Sequence, residues 1–218
     1  MAGIAETIII DYGMGNLRSV EKAVAAVGGL PIISGDPEIV RAGKRLILPG
    51  VGAFGDAMEN LRRAGLDRAI RDAINSGTPL LGLCLGLQLM FTRSEEFGSH
   101  EGLNLIPGKV LKFSDAGLRV PHVGWNQIEG AKENPLLQNI PEGSYFYFVH
   151  SFYVEPDSPD YVLRRTEYGR LFCSIAHREN VWGAQFHPEK SQESGKRLLR
   201  NFLRIYFGVR QLAAAFAR

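Results

Sequence analysis

Cysteine is nearly missing from this chain of 218 residues, which has only Cys84 and Cys173. Two thiols cannot build a disulfide framework or a cysteine zinc site, so each has to be judged by its own surroundings. No apolar run reaches the roughly 20 residues that a bilayer-spanning helix needs. Met1 to Thr7 lack the basic and apolar regions of a secretory signal. A cytoplasmic protein with no membrane partner is the expectation. An excess of one charge is absent too: 25 basic and 23 acidic residues leave a formal net charge of +2, which gives no reason to expect a nucleic-acid partner. The pairs Arg62-Arg63, Arg164-Arg165 and Lys196-Arg197 read as solvated faces. Repeats, linkers and low-complexity segments are lacking. What remains is 45% hydrophobic and 22% charged, the composition of an ordinary globular domain long enough to bury a core.

The first half alternates β-branched runs with helical periodicity. Thr7 to Ile10, Pro31 to Ile33, Leu46 to Leu48 and Pro79 to Leu83 read as buried strands. Between them, Leu17, Val20, Val24 and Val27 form one helix face closed by Gly28-Gly29, and a second helix runs from about Leu66 to Ile74 and ends at Gly77. This rhythm predicts an α/β fold: a mostly parallel open sheet flanked by helices on both faces. After Phe91, strand-like runs at Lys109–Phe113, Tyr145–Val154, Leu163–Thr166 and Val181–Phe186 are separated by turn residues and predict a partly antiparallel extension. A last helix starts near Ser191 as N-cap, carries Leu199, Phe202, Leu203 and Tyr206 on one face and stops at Gly208.

Gly82-Leu83-Cys84-Leu85-Gly86 lies where an apolar strand meets a helical pattern. That is the cysteine counterpart of the G-x-S-x-G nucleophile elbow. Glycines on either side let the chain turn sharply and hold Cys84 in a strained conformation, and a helix N-terminus beside it favours thiolate over thiol. Cys173, in Leu171-Phe172-Cys173 without flanking glycines, is a core residue. Phe186-His187-Pro188-Glu189 ends a later strand. Pro188 holds His187 extended, and in an extended chain residues two apart share a side, so Glu189 can hold one ring nitrogen while the other faces a nucleophile. Cys84 and His187 can converge at the carboxyl edge of the sheet. The other histidines show no such pairing: His177 reads as structural or surface, and His122 and His150 stay undecided.

Two glycine-rich loops compete for attention. Leu48-Pro49-Gly50-Val51-Gly52-Ala53-Phe54-Gly55 lacks the G-K-[ST] ending of a phosphate-binding loop. Its free backbone amides suit an oxyanion, with the Leu85 amide as second donor. Asp11 to Arg18 begins like a dinucleotide fingerprint, with Asp36 further on, but Arg18 stands where the third glycine belongs. A tight βα turn is the main reading, and dinucleotide binding a minor alternative.

Together Gly82–Gly86, Gln88, His187-Pro188-Glu189 and Pro49–Gly52 resemble the class I (triad) glutamine amidotransferases. Asp11–Asn16, Pro49–Met58, His122-Val123-Gly124-Trp125-Asn126, Tyr147 to Phe152 and Phe186–Ser191 look like the glutaminase subunits of imidazole glycerol phosphate synthases, a likeness covering about residues 6 to 207. The resemblance implies Cys84 as nucleophile, His187 as general base and then acid, and Glu189 as its orienter. It implies an oxyanion hole from Val51 and Leu85, and a glutamine pocket lined by Gly52, Gln88, Ser151 and Phe152. It implies no cofactor or metal, and a heterodimer with a (β/α)8-barrel cyclase that uses the ammonia in histidine biosynthesis. Residues 1–208 would form the amidotransferase domain, and 209–218 a tail beyond the likeness.

Overall fold

The computed structural model describes residues 6–114 and 117–205. The expected helix position of Tyr206, the stop at Gly208 and the tail 209–218 lie outside the described residues. In chain order, β1 (Glu6–Ile10), α1 (Leu17–Ala26), β2 (Leu30–Ser34), α2 (Pro37–Ala42), β3 (Leu46–Leu48), α3 (Phe54–Arg63), α4 (Leu66–Asn75), β4 (Leu80–Leu83) and α5 (Leu85–Leu89) make the first half. The strands β5 (Phe91–Ser94), β6 (His100–Glu101), β7 (Ile106–Lys112), β8 (His122–Gln127), β9 (Tyr145–His150), β10 (Phe152–Pro156), β11 (Val162–Glu167), β12 (Leu171–Arg178) and β13 (Val181–Ala184) follow, and α6 (Gln192–Leu203) closes the described chain.

The main sheet runs β2-β1-β3-β4-β13-β12-β10-β7-β5-β6, with β11 on β12. From β2 to β13 the pairs are parallel. At β12 the sheet turns antiparallel, apart from the parallel β5/β7 pair. Strand alternation sorts side chains between two cores: Ile8, Ile10, Leu46, Leu48 and Leu80 pack with α3 and α4, whereas Ile9, Ile47, Leu81 and Leu83 pack with α1 and α6. Both faces are therefore covered, as expected. No described helix is long and apolar enough to cross a membrane.

Several elements differ from the sequence reading. The run Tyr145–Val154 is two strands, because the chain breaks at Ser151 and passes from the small β8–β9 sheet to the main one. His122–Gln127, to which the sequence assigned no element, is a strand with alternating exposure. Helix α3 has no side-chain cap of its own; the Phe54 N–H donates to the buried Glu96 carboxylate instead, at 2.6 Å. A helix start capped from so far along the chain leaves no local signature. Arg164, expected in solvent, is 6% exposed and donates to the Lys132 and Leu163 carbonyls. Ser191 sits at the α6 N-cap without capping it. Its hydroxyl donates to the His187 carbonyl at 2.6 Å and accepts from the Tyr147 N–H at 3.0 Å, tying the turn after β13 to β9.

Candidate active site

Cys84 occupies the single position between β4 and α5, with φ 54° and ψ −108°, a combination that costs a non-glycine residue about 1–3 kcal/mol. Its backbone is held in place by the Cys84 N–H donating to the Ala184 carbonyl at 2.8 Å and by Leu87 and Gln88 N–H groups donating back to the Cys84 carbonyl. Gly86 is required by contact: a β-carbon there would lie 1.8 Å from the Leu48 carbonyl oxygen. The helix behind the elbow is short, only five residues. The Sγ–H points at the Val149 carbonyl of β9, 3.7 Å away.

His187 follows β13, 6% exposed, with its N–H donating to the Tyr147 carbonyl at 2.9 Å. Its Nδ1–H donates to Glu189 Oε1 at 2.8 Å, and Cys84 acts on the ring from the other side of the site. Structure corrects the reason given for the His–Glu pairing. His187 is extended, but Pro188–Lys190 is a 3-10 turn, so Glu189 reaches the ring by curling back rather than by sharing a strand face. Burial works against charge on His187. Hydrogen bonds and attraction to Cys84 and Glu189 outweigh it and raise the imidazole to about 10. The other carboxylate oxygen, Glu189 Oε2, is buried with no hydrogen-bond partner among the described residues, so the imidazolium is the one countercharge seen beside that carboxylate.

The loop after β3 lies against this elbow. A β-carbon at Gly50 would be 2.4 Å from the Tyr12 hydroxyl and 2.9 Å from Leu85 Cβ, so the loop carrying Val51 and Gly52 packs onto the start of α5. Tyr12 donates to the Pro49 carbonyl at 2.9 Å, and burial, then the charge of Cys84, raises its hydroxyl well above the ordinary range. The β1–α1 loop is thus a buttress, begun by an Asx turn in which the Gly13 N–H donates to Asp11 Oδ1. Val51 is 46% exposed and Gly52 takes φ 105°.

Gln88 is buried, and its Nε2 donates to the Phe152 carbonyl at 3.1 Å and to Gln185 Oε1 at 3.3 Å. Ser151 and Phe152 are half-buried at the β9–β10 break. The structure therefore gathers Cys84, His187, Glu189, Gln88 and Phe152 at one end of the sheet. Sequence reasoning missed two residues, Gln185 and Glu96, and left the pairing of His122 and His150 undecided. Gln185, fully buried, directs Nε2 at Cys84 Sγ, 3.9 Å away; an amide inside the apolar run Val181–Phe186 was the available signal. Glu96 is the buried carboxylate beside the loop. His122 and His150 do pair, with Nδ1 of the first 3.0 Å from Nε2 of the second. Cys173 is 2% exposed, and burial pushes its thiol up to about 12, leaving it inert. No group of three or more His, Cys, Asp or Glu side chains among the described residues could hold a metal ion.

A buried His–Glu pair against a strained cysteine at a strand–helix elbow is the arrangement of a thiol acyl-transfer enzyme. The chain belongs to the class-I glutamine amidotransferase family, whose model matches residues 8–205. Within it, the chain is similar to proteins named imidazole glycerol phosphate synthase subunit HisH. That of Syntrophotalea carbinolica is 50% identical over 201 residues, covering 89% of this chain and 98% of the relative. That of Aquifex aeolicus is 50% identical over 200 residues, covering 91% and 96%. Among solved structures, PurLQS from Thermotoga maritima shares the fold, with TM-score 0.71 and 18% identity over 92% of this chain and 98% of that one.

Proposed function

We propose that this chain is the glutaminase subunit of an imidazole glycerol phosphate synthase, hydrolysing L-glutamine at Cys84 and passing the ammonia to a (β/α)8-barrel cyclase as its heterodimer partner. The observation that carries the chemistry is the buried Cys84–His187–Glu189 arrangement; the partner rests on the HisH likeness. The Cys84 thiolate attacks the carboxamide carbon of glutamine. His187, protonated and held by Glu189, gives its proton to the departing nitrogen, so that ammonia leaves and a γ-glutamyl thioester forms. Water, deprotonated by His187, then attacks the thioester, releasing glutamate and restoring the thiolate. The amides of Val51 and Leu85 stabilise the oxyanion in both steps. Gly52, Gln88, Ser151 and Phe152 line the glutamine pocket.

Free ammonia is mostly protonated in neutral water and is then no nucleophile, so delivery through a docked partner has a clear advantage. The outward face of β8–β9 suits docking: Val123, Trp125 and Tyr145 are 56%, 46% and 53% exposed, an apolar group next to the site. The proposed control is an oxyanion loop that reaches its active form only on docking, with Gly52 at φ 105° leaving the Val51 peptide free to turn. The test is the glutaminase rate of the chain alone, with a barrel cyclase, and with cyclase plus its nucleotide substrate. Strong stimulation supports the reading. Full activity alone removes the partner control, and no activity in any arm removes the glutaminase.

A further inference from the structure

A chain of buried polar groups runs from the β8–β9 sheet to the Cys84 sulfur, and backbone carbonyls fix the direction of every hydrogen bond in it. A carbonyl can only accept. The Phe152 carbonyl faces His150 Nδ1 at 2.7 Å and the Gln88 side-chain nitrogen at 3.1 Å, so both must carry hydrogen. In a neutral ring protonated at Nδ1, His150 Nε2 accepts, and His122 must present Nδ1–H to it at 3.0 Å. His122 Nε2 then accepts from Asn126 Nδ2 at 3.3 Å, whose nitrogen end is independently fixed by the Glu167 carbonyl at 2.9 Å. On the other side, the second Gln88 hydrogen meets Gln185 Oε1. The Gln185 nitrogen is thereby left facing Cys84 Sγ.

We propose that Gln185 is a hydrogen-bond donor to the Cys84 sulfur, with Gln88, fixed by the Phe152 carbonyl, as the positioning residue that holds its amide in the donating orientation. This rests on the reading of Cys84 as nucleophile. Cys84 is 7% exposed and its sulfur lies beside the Val149 carbonyl, which repels a thiolate, so a negative sulfur there needs protein donors. At 3.9 Å the N–H···S contact is long, and it shortens once the sulfur is charged. Burial keeps both histidines uncharged, lowering His150 to about 3 and His122 to about 4, so no imidazolium competes with the sulfur for negative charge at neutral pH from that side. The titratable groups that feel the charge of Cys84 are His187, paired with Glu189, and Tyr12 from the β1–α1 loop; His150 on β9 acts on His187.

The test is the pH profile of Cys84 alkylation by iodoacetamide in the full chain, with peptide mapping to separate Cys84 from Cys173. Removing a donor to a charged group by Gln185→Leu should slow alkylation at pH 7 about tenfold and move the profile up by about one pH unit. A residue that only packs would lower the melting temperature without moving the profile. Labelling of the buried Cys173 reveals a variant that has opened, and Gln88→Met, which frees the Gln185 amide to turn, is then read in its place, with a smaller shift of the same sign. A wild-type profile in whichever variant keeps Cys173 protected overturns the proposal. Wild-type glutamine hydrolysis with the cyclase is measured in parallel: its absence would remove the nucleophile reading whatever the alkylation profiles show.

Discussion

Lowering the pH from 7 to 5 should destabilise this protein by about 3 kcal/mol through its buried histidines alone. An unfolded histidine has an ordinary value near 6.5, and over this interval it passes from mostly neutral to almost wholly protonated. His122 and His150 stay neutral in the fold, because burial lowers them to about 4 and about 3. A group lowered in the fold gives up stability as pH falls below its unfolded value, so each histidine costs roughly 2 kcal/mol at pH 5, about 4 for the pair. Whether the folded value is 3 or 4 hardly matters, since neither group protonates in the fold at pH 5. His187 runs the other way. Raised to about 10, its contribution is fully present below 6.5 and is lost as pH rises towards 10, so acidification to pH 5 returns a little under about 1 kcal/mol. The net loss is a sizeable fraction of the 5–15 kcal/mol typical of a domain. Urea unfolding at pH 7, 6 and 5, followed by tryptophan fluorescence, measures it. His150→Phe keeps an aromatic ring among Phe113, Phe148 and Phe172 and should roughly halve the histidine part of the slope. Equal pH slopes in wild type and variant would refute the reasoning.

Cys84→Ala should abolish glutamine hydrolysis and leave the fold intact, read by ammonia release and by the mass added by a glutamine-mimicking electrophile; label on Cys173 with Cys84 untouched would remove the assignment. His187→Ala should lower the rate by the 10²–10⁴ typical of a lost general base, and Glu189→Ala by less; the reverse order under saturating glutamine would contradict the roles given to them. Gly86→Ala places a β-carbon 1.8 Å from the Leu48 carbonyl oxygen, a clash with backbone that cannot be relieved by a rotamer change. It should cost about 3 kcal/mol or more and displace Cys84, visible as a lowered melting temperature together with lost activity.

Much of the sheet is legible in the sequence because its central strands are buried on both sides and so read as unbroken apolar runs, Ile8 to Ile10 and Leu46 to Leu48 among them. The elbow is legible because two glycines bracket the cysteine, although the contact that requires Gly86, with the Leu48 carbonyl, comes from another strand. His187 and Glu189 are legible as a pair even though a 3-10 turn, not an extended strand, brings them together; separation by two residues keeps them within reach in either conformation. What could not be read depends on partners distant in the chain. The start of α3 is capped by Glu96, Arg164 is buried by the carbonyl of Lys132, and His122 meets His150 only because β8 and β9 pair in that register. The donor direction of Gln185 is further still from the sequence, since it is set by the carbonyl of Phe152 through the side chain of Gln88.

Strand β9 explains how a partner could act on the chemistry without a long path. Its pairing with β8 sets Val123 opposite Val149 and Trp125 opposite Tyr147, so the exposed apolar face is one strand away from residues that bound the site. The Tyr147 carbonyl accepts from the His187 N–H, the Val149 carbonyl accepts from the Cys84 thiol, and His150 holds the Phe152 carbonyl. These three contacts come from alternate and adjacent positions of a single strand, so a shift of β9 of a few tenths of an ångström moves the base, the nucleophile and the pocket wall together. A hydrogen-bonded pair of strands is short enough to transmit such a shift. Coupling between docking face and site would then require only that a partner prefer one position of the β8–β9 pair over another.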